Sequence, residues 1–106
     1  YRLRQVLLNL LTNAIHATDS GGWISISLRS SENRIDMFIQ DTGCGIPKEN
    51  LAKIFEPFFS TKDAGQGTGM GLYVSRGIIE KLGGAIKVES RVGKGSIFII
   101  SLPLRP

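Results

Sequence analysis

The stretch Trp23-Ile24-Ser25-Ile26-Ser27-Leu28-Arg29-Ser30, then Ser31-Glu32-Asn33, then Arg34-Ile35-Asp36-Met37-Phe38-Ile39-Gln40, decides the fold class. Trp23, Ser25 and Ser27 alternate with Ile24, Ile26 and Leu28, the period of two that marks a strand. The short polar turn makes Arg34–Gln40 its antiparallel partner. Upstream, Tyr1–Thr18 carries Leu3, Val6, Leu7, Leu10, Ala14 and Ala17 at spacings of three and four, the stripe of an amphipathic helix. Asp19-Ser20-Gly21-Gly22 ends it with turn residues. Downstream, residues 41–71 are glycine-rich and interrupted by Pro47 and Pro57, with a short helix expected over Lys48–Ile54 because proline favours a helix start. A second long helix is expected over Gly69–Leu82, with Met70, Tyr73, Val74, Ile78 and Leu82 apolar and Gly83-Gly84 closing it. Ala85–Ser90 and Ser96–Leu102, joined by Arg91-Val92-Gly93-Lys94-Gly95, form a second hairpin. Helix, hairpin, loop, helix, hairpin is an α+β order: an antiparallel sheet with helices on one face.

The 106 residues suffice for one domain, and 42% hydrophobic with 21% charged residues is ordinary for a chain that buries a core. Cys44 is the lone cysteine, which excludes an internal disulfide framework; with one histidine it also argues against structural zinc. The net charge of +4 suits a polyanionic ligand, but the basic residues are scattered, which argues against nucleic acid. No apolar run approaches the roughly 18 residues of a membrane span, and no signal-peptide pattern opens the chain. The close at Leu102-Pro103-Leu104-Arg105-Pro106 resembles a domain boundary, whereas the start inside a helix does not.

Three segments could carry chemistry. At about 100° per residue, Gln5, Asn9, Asn13 and His16 fall within one arc of about 80° on the first helix, away from its apolar stripe. This is either a solvated polar face or a set of neutral oxygens and amides aimed at a ligand. Asparagine is a poor choice for mere exposure on a helix, and one such oxygen suits a magnesium held mainly by phosphates and water. Asp41-Thr42-Gly43-Cys44-Gly45-Ile46-Pro47 is either an ordinary turn or a carboxylate at a strand end, flanked by glycines that let a flat ring approach. Such a carboxylate accepts from the exocyclic amine of adenine and repels the carbonyl of guanine. Gly65-Gln66-Gly67-Thr68-Gly69-Met70-Gly71 is either a flexible loop or an anion cradle leading into a helix. It is not a dinucleotide fingerprint, and Val88 occupies the place where a P-loop around Lys94 would need its first glycine.

In order along the chain, these segments resemble the ATP-binding catalytic domain of sensor histidine kinases, in the GHKL superfamily with gyrase-type ATPases. Arg2-Leu3-Arg4-Gln5-Val6-Leu7-Leu8-Asn9-Leu10-Leu11-Thr12-Asn13-Ala14 is similar to its N box and Asp41-Thr42-Gly43-Cys44-Gly45-Ile46 to its G1 box. Phe55-Glu56-Pro57-Phe58-Phe59 is similar to the F box and Gly67-Thr68-Gly69-Met70-Gly71-Leu72 to the G2 box. The resemblance implies an α+β two-layer sandwich of the GHKL (Bergerat) type, with a mixed, mainly antiparallel sheet and helices on one face. It implies that residues 1–106 are the ATP-binding catalytic domain, without the strand and helix that usually precede the N box, and with an ATP lid over about 48–69.

By the same resemblance, Asn9 is the catalytic residue that coordinates Mg2+, Asn13 stands beside metal or phosphate, and His16 is at a phosphate-touching basic position. Asp41 would hold the adenine amino group, with Gly43, Gly45 and Ile46 around the ring and Ser96 supporting the bond through water. Lys62 would reach the terminal phosphate. Gly67, Gly69 and Gly71 would give amides to the phosphates, with Thr68, Met70 and Leu72 also at the ATP site. Of Phe55, Phe58 and Phe59, at least one would anchor the lid and another contact the dimerisation helices; Cys44 is filler. The implied cofactors are ATP and Mg2+. The γ-phosphate would pass to a histidine on a separate dimerisation and phosphoacceptor helical domain, then to a response regulator, in the cytoplasm; homodimers would form only through that other domain. His16 is not the acceptor, since Ala17 follows it and it lies inside the N box. Two other readings are a GHKL ATPase or conformational clamp, and a non-catalytic nucleotide-binding module. Gln5 stands where hydrolysing relatives carry a glutamate base, which argues for a kinase.

Overall fold

A computed structural model of the chain describes residues 2–18, 21–57 and 71–104. Helix α1 (Arg2–Ala17) is followed by the hairpin β1 (Ile24–Ser30) and β2 (Arg34–Asp41), then the one-turn α2 (Lys48–Leu51). Helix α3 (Gly71–Lys81) precedes the second hairpin, β3 (Ala85–Arg91) and β4 (Gly95–Pro103). The strands form one sheet in the order β1-β2-β4-β3. Every pairing among them is antiparallel, so the parallel contribution expected of a mixed sheet is not among the described strands.

Register puts Ile39 opposite Phe98 and Met37 opposite Ile100 across β2 and β4. Ile86 and Val88 of β3 stand opposite Ile100 and Phe98. These side chains share one face, where Ile39, Phe98, Ile100 and Ile86 are buried with Val6 and Leu10 of α1 and Ile78 and Ile79 of α3. The opposite face mixes polar side chains with Phe38, Ile97 and Ile99. There the Arg29 guanidinium lies 5.8 Å from the Phe38 ring centroid, and Arg34 meets Asp36 at 3.4 Å in an exposed pair that adds little stability.

Three expectations change in detail. The α3 stripe is rotated: Tyr73 and Leu82 are half exposed, while Ser75, Ile78 and Ile79 occupy the buried positions. The helix ends as expected, with Gly83 N–H bonding Glu80 O and Gly84 N–H bonding Ile79 O, the paired bonds of a Schellman close. Helix α2 stops at Leu51 rather than Ile54. Lys53 N–H donates to Asn50 O and Glu56 N–H to Lys53 O, three-residue turns that carry the chain to Pro57 while Ile54 is buried in the core. Finally, β1 forms with the expected alternation, and Ile26 and Leu28 face the helix side opposite Ile39 and Met37. Yet both remain more than half exposed, as do Leu8 and Ile15 on one flank of α1. Alternation determines which face a residue joins, not whether a helix covers it.

Candidate functional site

Asp41 is the last residue of β2 and is only 5% exposed. Its Oδ1 accepts from Gly43 N–H at 2.8 Å and from Ser96 N–H at 3.3 Å. A buried carboxylate needs such donors. Both fall on one oxygen, so Oδ2 has no donor among the described residues. Ser96 is paired with Asp41 across the β2–β4 ladder and with Ser90 across the β3–β4 hairpin. Its hydroxyl is 2.7 Å from Ser90 Oγ. Ser90 Oγ in turn accepts from Ile46 N–H at 2.8 Å and donates to Gly95 O at 3.0 Å. Three strand ends thus converge on one polar cluster, Asp41, Ser96 and Ser90.

The loop after Asp41 is pinned on both sides. Cys44 N–H donates to Ala17 O at the end of α1, and Cys44 O accepts from Gly93 N–H in the β3–β4 turn. A side chain at Gly43 would strike Ala17 O, and one at Gly45, where φ is +79°, would strike Arg91 O. Only glycine lets the loop pass between helix and hairpin. The Cys44 side chain is exposed and its backbone carries the two bonds, in keeping with a filler position. A depression of about 290 Å3 has Asp41, Ser90 and Ser96 in its wall, together with Gln40 and Glu89. Gln40 and Glu89 project from the other face of the sheet, so this depression wraps the sheet's end rather than entering the space beneath the helices.

The second cluster lies where α1 crosses α3. Asn9 is half-buried, and its Nδ2 donates to Gly71 O at 3.3 Å and to Ser75 Oγ at 3.1 Å. The polar arc of α1 is therefore not simply solvated: Asn9 and Asn13 are half-buried, whereas Gln5 and His16 are exposed. Leu72 packs against the core one residue after Gly71. Phe55 of the F box anchors by its ring, which meets Phe98 edge-on with centroids 6.5 Å apart. The Arg76 guanidinium lies 5.7 Å from the Phe55 ring centroid. Lys62, Gly67, Thr68, Gly69 and Met70, with Phe58 and Phe59, lie outside the described residues.

The chain thus brings Asp41, Gly43, Gly45, Ile46 and Ser96 together at one place, and Asn9 and Gly71 at another. Helix α1 links them: eight residues, about 12 Å of helix, separate Asn9 from Ala17, against which the Asp41 loop docks. Sequence reading missed Ser90 and Ser75. Ser90 could have been found by counting back across the second hairpin, and Ser75 as the polar residue four after Gly71 on the buried stripe of α3.

The whole chain, residues 1–106, matches the family described as histidine kinase-, DNA gyrase B-, and HSP90-like ATPase. Sensor histidine kinase ZraS of Salmonella typhimurium is 50% identical over 104 residues, covering 97% of this chain and 22% of that protein. Sporulation kinase C of Bacillus subtilis is 39% identical over 104 residues, covering 98% of this chain and 24% of its own. The chain therefore spans less than a quarter of the length of these relatives. The nucleotide-free catalytic domain of histidine kinase ThkA superposes with a TM-score of 0.87 at 42% identity, over 99% of this chain and 69% of that one. ShkA, solved full-length in complex with AMPPNP, superposes with a TM-score of 0.85 at 33% identity, over 96% of this chain and 21% of that one. Four sequence boxes in order, a sheet backed by α1 and α3 and likeness over the whole length agree: the chain belongs to the histidine kinase-, DNA gyrase B- and HSP90-like ATPase family, and its fold is that of histidine kinase catalytic domains.

Proposed function

We propose that residues 1–106 form an ATP-binding catalytic domain that holds Mg-ATP and donates its γ-phosphate to a histidine on a separate dimerisation and phosphoacceptor helical domain, from which a response-regulator aspartate receives it. The observation that carries this reading is Asp41: a buried carboxylate with one oxygen held by two backbone amides and the other without a donor among the described residues. That free oxygen is suited to the exocyclic amine of adenine. Gly43, Gly45 and Ile46 would flank the base, with Ser96 alongside. The phosphates would lie toward Asn9, Asn13 and Gly71, with His16 further along α1. The AMPPNP held by ShkA supports an adenine nucleotide. The lid would span about 48–69 and include Lys62, and Gly67, Gly69 and Gly71 would give amides to the phosphates, with Thr68, Met70 and Leu72 beside them at the ATP site.

Magnesium fits the donor set. Asn9 Oδ1 has no donor among the described residues, and no cluster of three acidic, histidine or cysteine side chains occurs among them. A metal that takes one oxygen from the protein and the rest from phosphate and water suits such a site. It would neutralise charge on the phosphates. Asn9 would orient it, and the protein would bind it only together with nucleotide.

Replacing Asp41 by asparagine is expected to weaken ATP binding about tenfold or more, since a hydrogen bond to a charged group contributes roughly 1.5–3 kcal/mol. The preference for ATP over GTP should narrow, because the amide can offer an N–H to guanine. Calorimetric titration with both nucleotides, with and without magnesium, measures this. Wild-type affinity in the variant would remove the adenine reading. Gln5, exposed one turn before Asn9, cannot act as a base. Gln5→Glu is therefore expected to raise basal ATP hydrolysis, measured as phosphate release; an unchanged rate would withdraw Gln5 as an argument for a kinase over an ATPase clamp.

A further inference from the structure

Ser90, Ser96 and Asp41 stand in one row across β3, β4 and β2, and Ser96 and Asp41 are almost wholly buried. In such surroundings the proton of a hydroxyl needs a partner as much as its oxygen does. Ser90 carries one hydroxyl proton and makes three contacts. Its Oγ accepts from Ile46 N–H at 2.8 Å. At 3.0 Å it meets Gly95 O, which can only accept, so the Ser90 proton lies there. The 2.7 Å contact to Ser96 Oγ is then a hydrogen bond only with Ser96 as its donor. The Ser96 proton is thereby turned toward β3, and its oxygen keeps lone pairs alone for any other partner. Asp41, as a carboxylate, also has only acceptors to offer. Its Oδ1 is filled by the Gly43 and Ser96 amides, and Oδ2 has no donor among the described residues.

We propose that Ser90 is a positioning residue for base selection: by holding the Ser96 proton it makes Asp41 and Ser96 a wall of acceptors, which takes an amine at position 6 of a purine and refuses a carbonyl there. This rests on the reading of Asp41 as the carboxylate that binds adenine. Ser96 alone would be no filter, since a free hydroxyl rotates to donate or accept as its ligand demands. Without the Ser90 oxygen, the Ser96 proton turns to the ligand and donates to a purine carbonyl. A buried site discriminates in this way because the wrong base leaves its polar groups unpaired.

The test is calorimetric titration of the intact protein, in the presence of magnesium, with ATP and with inosine triphosphate, whose base carries a carbonyl in place of the amine. The readout is the ratio of the two affinities, which should favour ATP in the wild type. Ser90→Ala is expected to lower this ratio about fivefold, the effect of one net hydrogen bond. Ser90→Cys keeps the volume but is a weak acceptor, so it should lower the ratio comparably; it also decides the matter if the alanine variant does not fold. In a Ser96→Ala background the same substitutions should leave the ratio within about twofold of that background, because the proton they release is gone. Equal falls in both backgrounds would mean that Ser90 acts only by holding the loop at Ile46, and would overturn the proposal. A wild-type ratio in Ser90→Cys would overturn it as well, while a lowered ratio in Asp41→Asn keeps the adenine reading. A wild-type ratio in Asp41→Asn would overturn the adenine reading and this proposal with it.

Discussion

Asn9→Ala is expected to lower phosphoryl transfer by about a hundredfold or more while ATP still binds. The substitution removes a side-chain oxygen at the crossing of α1 and α3 that has no donor among the described residues. Charge stabilisation by a bound metal contributes several kcal/mol to such a transition state, and each 1.36 kcal/mol is a factor of ten in rate. Binding should survive because the Asp41 loop docks at Ala17, eight residues or about 12 Å of helix from Asn9, and among the described residues Asp41 and Ser96 share no hydrogen-bond partner with Asn9. The measurement is autophosphorylation of the intact protein with labelled ATP, together with nucleotide affinity and a melting curve on the same sample. A stable variant that autophosphorylates at the wild-type rate would defeat the assignment.

The second large effect is on stability. Gly45→Ala is expected to cost about 3 kcal/mol or more, a fall of roughly 12 °C or more in Tm. Two terms add. An L-residue at φ +79° costs roughly 1–2 kcal/mol. The new Cβ would also land on Arg91 O, with Val92 Cα at 2.9 Å. Relief requires the loop to leave the hairpin, which breaks the Gly93 N–H to Cys44 O bond and the Ile46 N–H to Ser90 Oγ bond. Gly93 is the control, since its φ is +81° but nothing lies within 4 Å of a Cβ there. Gly93→Ala should therefore show the backbone cost alone. Chemical denaturation of both variants separates the terms, and equal losses would mean that the loop is not held between α1 and the turn. The same displacement would move the Asp41 end of the site, so nucleotide affinity should fall with stability in Gly45→Ala only.

Much of the fold was legible because its signals are local. The stripe of α1, the alternation of β1, the Gly83-Gly84 stop and the polar turns each depend on neighbours within a few residues, where 3.6- and two-residue periods apply. Asp41, Gly43 and Gly45 were legible for a related reason: a carboxylate and close glycines at a strand end occupy seven residues of sequence. What was not legible depends on residues far apart. Ser75 looked like one polar residue in a helix until α3 packed on α1, 66 positions away from its partner Asn9. The apolar residues expected along α3 include Tyr73, which is half exposed, while the buried Ser75 is not among them. Helical period alone leaves the stripe's rotation uncertain by one residue, and packing against α1 and β3 selects it.

The sequence by itself determined the order of elements, the face to which each strand residue points, the four boxes and hence the family. Those are properties of short segments, encoded by period, turn chemistry and spacing. The tertiary structure alone decided that Asp41 receives both its amides on one oxygen, that Ser90 joins Ser96, and that the Asn9 amide is oriented by Gly71 and Ser75. It also decided that Ile26 and Leu28 stay exposed although their alternation is that of a half-buried strand. The physical reason is common to all of these. A hydrogen bond or a buried contact needs two partners within a few ångströms, and only the packing of α1, α3 and the four strands brings them there.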